Sequence, residues 1–145
     1  MAEFGYPVMT IDDALYANFN GEKYQKVLSA VIEDRKPSVI FTGHTAQGVD
    51  FMPSLAVEKD LPYVAEAVEV EYVGGALKAV RQIYSGKVNA RVSCKPADTY
   101  LVTVREGVYE APEARGGSEI EKIVLPLKED TPNHIFVEYI EAEVG

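Results

Sequence analysis

The chain is 145 residues long, 47% apolar and 26% charged, the balance of one ordinary globular domain and not of a disordered segment. Its formal charge of -9 and pI near 4.7 argue against a nucleic-acid partner, because phosphate binding needs a basic patch that releases counterions. A single cysteine, Cys94, excludes an internal disulfide and a cysteine-cluster metal centre. With no basic leader and no run of about 18 apolar residues, a cytoplasmic chain without a membrane partner is expected.

In chain order, Pro7 to Ile11 reads as a short buried strand, with Asp12 and Asp13 able to cap the turn that follows. An amphipathic helix is predicted from Gly21 to Asp34: Tyr24, Val27, Leu28, Val31 and Ile32 recur at helical spacing, and Asn20 is the N-cap. Pro37 ends that region, so a strand-helix-strand unit with a right-handed parallel crossover is expected. The strand from Val39 to Thr42 reads as a central parallel strand covered by helices on both sides. Proline cannot donate a backbone hydrogen bond, so the next helix either begins near Phe51, with Pro53 in its first turn, or is kinked at Pro53, and the late start is the preferred reading.

From Glu66 the period changes to alternation. Val68, Val70 and Tyr72 fall on one face and Glu69, Glu71 and Val73 on the other, the mark of a half-exposed strand. Gly74 and Gly75 turn the chain, and Leu77 to Ser85, Val88 to Cys94 and Tyr100 to Arg105 read as further strands, separated by turns at Gly86 and at Pro96 to Asp98. The loop from Glu110 to Gly117 reads as irregular and exposed, ahead of two last strands at Glu119 to Leu127 and Ile135 to Val144. The fold class is thus α/β: a Rossmann-like three-layer parallel sheet of the adenine nucleotide alpha hydrolase-like type, extended by antiparallel strands in the second half.

Gly43, His44, Thr45, Ala46, Gln47 and Gly48 join a strand end to a helix start, where backbone amides can cradle an anion. The segment lacks the Lys-Ser/Thr of a phosphate loop, and Asp50 follows it, so a tight turn whose glycines serve backbone geometry is the plainer reading. Gly43, His44, Thr45 and Gly48 are nevertheless the cofactor-binding candidates. His44 has the chemistry of an acid or base, with no nucleophile beside it in sequence, and no catalytic residue is assigned. His134, beside Pro132 and Asn133, reads as a turn residue. Glu66, Glu69 and Glu71 could suggest a carboxylate cluster, but strand alternation sends Glu69 and Glu71 to one solvent-facing side, and Glu138, Glu141 and Glu143 lack the spacing of a calcium loop, so no metal site is assigned. The tyrosines Tyr72, Tyr84, Tyr100, Tyr109 and Tyr139 suit half-buried sheet or a protein interface.

A threonine in the loop (Thr45), a glycine three residues on (Gly48), then Pro53 followed by Leu55 and Ala56 form a pattern that resembles the N-terminal domain of the electron transfer flavoprotein alpha subunit. Downstream, Arg81, Tyr84 and Gly86 match that family's Arg-Pro-x-Tyr-Ala-Gly-Asn signature, while Gln82, Ser85 and Lys87 depart from it. Thr103, Val104 and Arg105 match its Thr-Val-Arg strand end, with Glu106 in place of the usual proline. The resemblance implies a domain that packs against a beta subunit and supports an FAD domain located elsewhere, the chain ending about where that domain would begin. Arg81, Tyr84, Gly86 and Arg105 then tie the hairpin to its neighbours, and no cofactor is bound by this segment. It further implies a single domain lacking two family strands, which would lie between those at Pro7 and Val39. Either the chain is a fragment, or the flanking strands pair directly, or a partner fills the gap; self-association through exposed edges is the homomeric form of the last. The alternative is a stand-alone nucleotide-binding module or small hydrolase that uses the Gly43 to Gly48 loop.

Overall fold

The first helix forms where its cap and apolar stripe place it. In the computed structural model, which describes residues 2–124 and 133–142, α1 spans Gly21–Arg35, and Asn20 Oδ1 accepts from the Lys23 amide at 3.2 Å. The second helix starts earlier than Pro53 suggests: α2 spans Ala46–Lys59, capped by Thr45, with the proline in its interior. The amide that proline lacks would have served the carbonyl of Val49, a residue 43% exposed, so water can take that place and the cap outweighs the breaker. The helices lie side by side, with Glu58 accepting from Gln25 Nε2 at 2.5 Å and from Ser29 Oγ at 2.9 Å.

Both helices end on non-glycine residues in the left-handed region, Lys36 at φ 46° and Asp60 at φ 52°. Asp60 also places a carboxylate at the negative end of α2. Asp60→Gly removes both penalties and is expected to raise stability by about 1 kcal/mol, measurable by urea denaturation at neutral pH.

The strands are β1 (Val8–Thr10), β2 (Val39–Gly43), β3 (Tyr63–Val73), β4 (Ala76–Ile83), β5 (Val88–Ser93), β6 (Tyr100–Val104) and β7 (Ile120–Lys122). Five of them form a mixed sheet in the order β2-β6-β3-β4-β5. β2, β6 and β3 run parallel, and β4 and β5 extend the sheet antiparallel, so the α/β class with an antiparallel extension holds. The sheet's centre differs from the sequence reading. β6 is the central parallel strand, with Tyr100, Leu101, Val102 and Thr103 fully buried, whereas β2 is an edge strand with Phe41 54% exposed. An apolar pentapeptide reads alike in either place, because its period carries no information about its neighbours. β1 pairs with β7 in a separate two-stranded parallel sheet. The expected crossover therefore does not lie within one sheet, and β1 and β2 do not pair directly.

Both helices cover one face. Phe51, Met52 and Leu55 of α2 pack with Leu101 of β6 and with Tyr24, Leu28 and Ile32 of α1. The other face is covered by the sheet itself. The ladder slips between Val64 and Ala67 against β6 and between Ala67 and Glu69 against β4, with Glu66 at φ 57°, and this bulge bends β3. Its outer half and the β4–β5 hairpin fold back so that Leu77, Ala79, Val92 and Cys94 pack with Val64, Tyr100 and Val102. Tyr100 locks the fold-over: its ring meets Tyr72 at 6.2 Å, and its hydroxyl donates to Gly75 O at 3.0 Å and accepts from the Ala97 amide at 3.1 Å.

Toward the end of the chain, residues 110–117 are irregular and exposed as read. The strand expected over Glu119 to Leu127 is reduced to β7, Leu125 to Leu127 lying outside the described residues. No strand forms over 135–142. The start of that segment, Ile135 to Glu138, lines a cavity together with residues of α1 and α2; Val144 is outside the described residues. It is held by a clasp. The backbone amide and Nδ2 of Asn133 each donate to the Glu22 carboxylate at 2.9 Å, His134 Nδ1 lies 3.4 Å from it, and Asn20 Nδ2 donates to His134 O at 2.8 Å. The Asn133 side-chain bond above all, with its amide and His134, outweighs desolvation and holds Glu22 below the usual carboxylate range. A depressed folded pKa gives stabilisation that is complete above the unfolded value, about 4.3, and lost as the pH falls through the folded one. The Asn133 side-chain resonances are accordingly expected to hold their neutral-pH shifts until the pH drops below that value, and to lose this acid transition in Glu22→Gln.

Candidate functional site

The carboxyl ends of β2 and β6, the bulge of β3 and the start of α2 meet in one place, the region of an open α/β sheet where ligands bind. The Gly43 to Gly48 loop closes tightly there. The His44 amide donates to Val104 O at 2.7 Å, Gly48 N donates to Thr45 Oγ1 at 3.1 Å, and Val49 N donates to Thr45 O at 2.9 Å. A Cβ on Gly48 would stand 2.3 Å from the carbonyl oxygen of Gly43, so only glycine allows the first turn of α2 to rest on the end of β2. Asp50 is directed elsewhere: its Oδ2 lies 2.3 Å from where a Cβ on Gly21 would be, at the start of α1.

Four candidates stand together, then, and the structure adds residues that the sequence did not assign to the site. His44 Nδ1 is 3.0 Å from the hydroxyl of Thr103, which is also 3.2 Å from Tyr63 OH and accepts from the Glu66 amide at 3.1 Å. Glu66 Oε2 lies 4.0 Å from His44 Nε2, and its Oε1 lies 3.5 Å from Arg105 Nη1. Arg105 in turn donates to Gln82 Oε1 on β4, while its amide donates to Ala67 O at 2.9 Å. Thr103 Oγ1 thus accepts from the Glu66 amide and shares one hydrogen bond each with His44 Nδ1 and Tyr63 OH.

This arrangement joins three strands and the loop rather than presenting a reactive group. Thr103 is fully buried with three polar contacts, so its hydroxyl is not available for attack. Glu69 and Glu71 were expected on a solvated face. Those two are exposed, but the bulge turns Glu66 toward His44 and Arg105. The signals were present but faint: a threonine within the apolar run of β6, and an acid between two alanines where strand alternation breaks. Of the signature residues, Gly86 (φ 81°) sits in the β4–β5 turn, where an added Cβ would be 3.3 Å from Gln82 Oε1. Tyr84 is 75% exposed at that turn, and Arg81 lies on β4 apart from the cluster. Among the described residues, no group of three His, Cys, Asp or Glu is placed to hold a metal ion, and no helix is long and apolar enough to cross a membrane.

A family model described as the electron transfer flavoprotein domain matches residues 5–128. The chain belongs to that family. Within it, this electron transfer flavoprotein domain is similar to alpha subunits. It is 35% identical to the electron transfer flavoprotein subunit alpha of Bacillus subtilis strain 168, over 83% of this chain and 37% of that one. It is 32% identical to the subunit alpha of Syntrophomonas wolfei, over 79% of this chain and 36% of that one. It is 29% identical to protein FixB of Clostridium saccharobutylicum, over 88% of this chain and 39% of that one. The chain thus spans less than two-fifths of the length of these relatives, and the resemblance to an alpha-subunit N-terminal domain rests on matches across most of the present sequence. The electron transfer flavoprotein domain keeps Thr103 and Arg105 of its Thr-Val-Arg element in the cluster described above.

Proposed function

We propose that the chain acts in electron transport as the scaffold domain of an electron transfer flavoprotein alpha subunit, packing against a beta subunit and supporting an FAD domain formed elsewhere. The family match over residues 5–128 carries this reading. Two features of the surface support it. Among the described residues the outer edge of β2 has no neighbouring strand, and an open edge with half-exposed Phe41 invites pairing by further strands or by a partner. Ile135, Val137, Tyr139 and Ile140 are each at least 74% exposed, an apolar stretch of the kind that interfaces cover. A cytoplasmic location belongs to the same proposal.

The nucleotide-binding alternative asks the Gly43 to Gly48 loop to offer its amides and the Thr45 hydroxyl to phosphate. The His44 and Gly48 amides already donate within the protein, which favours the scaffold. Mixing the chain with the beta subunit of the Bacillus subtilis protein and measuring mass under native conditions tests the reading. A heterodimer in which this chain contributes no colour is expected; a monomer that ignores the beta subunit and carries the mass of a nucleotide would overturn it.

A further inference from the structure

Two parts of this chain lack the neighbour that their chemistry calls for. The first is the outer edge of β2. Edge strands are ordinarily guarded by charge, proline or a bulge, and β5, at the other end of the sheet, carries Arg91. β2 reads Val39, Ile40, Phe41, Thr42, Gly43, uncharged throughout, and its ladder with β6 runs without a slip. Phe41 stands beside the fully buried Val102 in that ladder and is half exposed, because no strand lies on its other side among the described residues.

The second is the segment from Ile135 to Ala142. Ile135, Val137 and Tyr139 alternate with Phe136, Glu138 and Ile140, a run of β-branched and aromatic residues suited to a strand. No strand forms there, and every residue from 135 to 142 is exposed. The clasp of Asn133 and His134 on Glu22 holds the start of the segment beside α1. A strand-forming segment without a sheet and a sheet edge without a strand can satisfy one another reciprocally between two copies, in a two-fold contact. We propose that two copies of this chain pair by exchange, residues 135–142 of each lying antiparallel along β2 of the other. That direction sets Val137 and Tyr139 opposite Phe41 and Val39 as one apolar face and brings Glu141 toward Lys36, exposed just ahead of β2. Parallel pairing on Phe41 would carry Glu141 past Gly43, away from that cation.

Sedimentation equilibrium of the full chain alone is the first measurement, and a dimer with a Kd of about 100 μM or tighter is expected. Each copy carries a charge of -9, so added salt is expected to tighten it. Val137→Pro removes an amide from the exchanged strand at an exposed position outside every strand of the single copy. It is expected to leave that copy folded and to weaken the dimer by about tenfold or more. Phe41→Lys guards the edge and is expected to weaken it likewise. Mixed, the two variants retain one sound edge and one sound strand between them. The β2 amide resonances of isotope-labelled Val137→Pro chain are therefore expected to shift saturably with unlabelled Phe41→Lys chain, and not with more of its own kind. Unlabelled unmodified chain serves as the strand donor if Phe41→Lys does not fold. The proposal is overturned if the full chain stays monomeric up to about 1 mM, or if the labelled β2 amides do not shift. It is overturned equally if Val137→Pro dimerises as tightly as the unmodified chain, the result expected of direct pairing between two β2 edges. No measurement here involves a beta subunit, and the scaffold reading and this pairing stand or fall separately.

Discussion

Gly48→Ala is expected to cost about 3 kcal/mol, at the upper end of what one added methyl group costs in a well-packed site. The added Cβ would stand 2.3 Å from the Gly43 carbonyl oxygen and 3.3 Å from Thr42 Oγ1. The first of these is backbone at the end of β2 and cannot rotate aside. Relief must come from moving α2 off the strand, which opens the contacts of Phe51, Met52 and Leu55 with Leu101. For a domain of this size the thermal midpoint is expected to fall by about 6–12 °C. Thr45→Ala gives the comparison, since it removes only the cap on the same turn and is expected to cost about 1 kcal/mol. A Gly48→Ala loss no larger than that of Thr45→Ala would show that the helix slides freely, and that Gly48 serves capping rather than close approach.

The sequence carried some of this architecture and not the rest, for physical reasons. α1 was legible because Asn20, a stripe at helical spacing and Pro37 all agree locally. The β3–β4–β5 meander was legible because alternation and the glycine turns at Gly74, Gly75 and Gly86 fix strand and turn together. Long-range order was not. Nothing in Val39 to Gly43 distinguishes an edge from a centre, and nothing in Tyr100 to Val104 announces a strand paired on both sides. The start of α2 was misread because a proline weighs heavily as a breaker, while one exposed carbonyl costs little in water. The site was half legible for the same reason. Its loop, Gly43 to Gly48, is contiguous and conspicuous. Its other members, Tyr63, Glu66, Gln82, Thr103 and Arg105, come from three strands and the residue after β6, and meet only because β3 carries a bulge.

Thr103 is where that bulge is tied to the sheet, and Thr103→Val is expected to cost about 2 kcal/mol. The replacement has nearly the same shape and leaves no cavity, so the loss isolates the hydroxyl. Three groups are deprived at once: the Glu66 amide at 3.1 Å, Tyr63 OH at 3.2 Å and His44 Nδ1 at 3.0 Å. The phenol and the imidazole can turn toward water, but the amide is fixed by a backbone in the left-handed region (φ 57°) and cannot. Glu66 is then held only through its side chain, by an ion pair with Arg105 at 3.5 Å and the 4.0 Å approach to His44, contacts that solvent weakens. Hydrogen exchange at the Glu66 amide is therefore expected to quicken more than that at Val102 on the same buried strand. Thr103→Ser keeps the hydroxyl and sheds a methyl group at about 1 kcal/mol, without the local change in exchange. The order of the two variants decides the role: if serine costs more than valine, Thr103 is held for its methyl group and the polar cluster follows the fold; if valine costs more, the hydroxyl holds the bulge, and through it the folded-back hairpin.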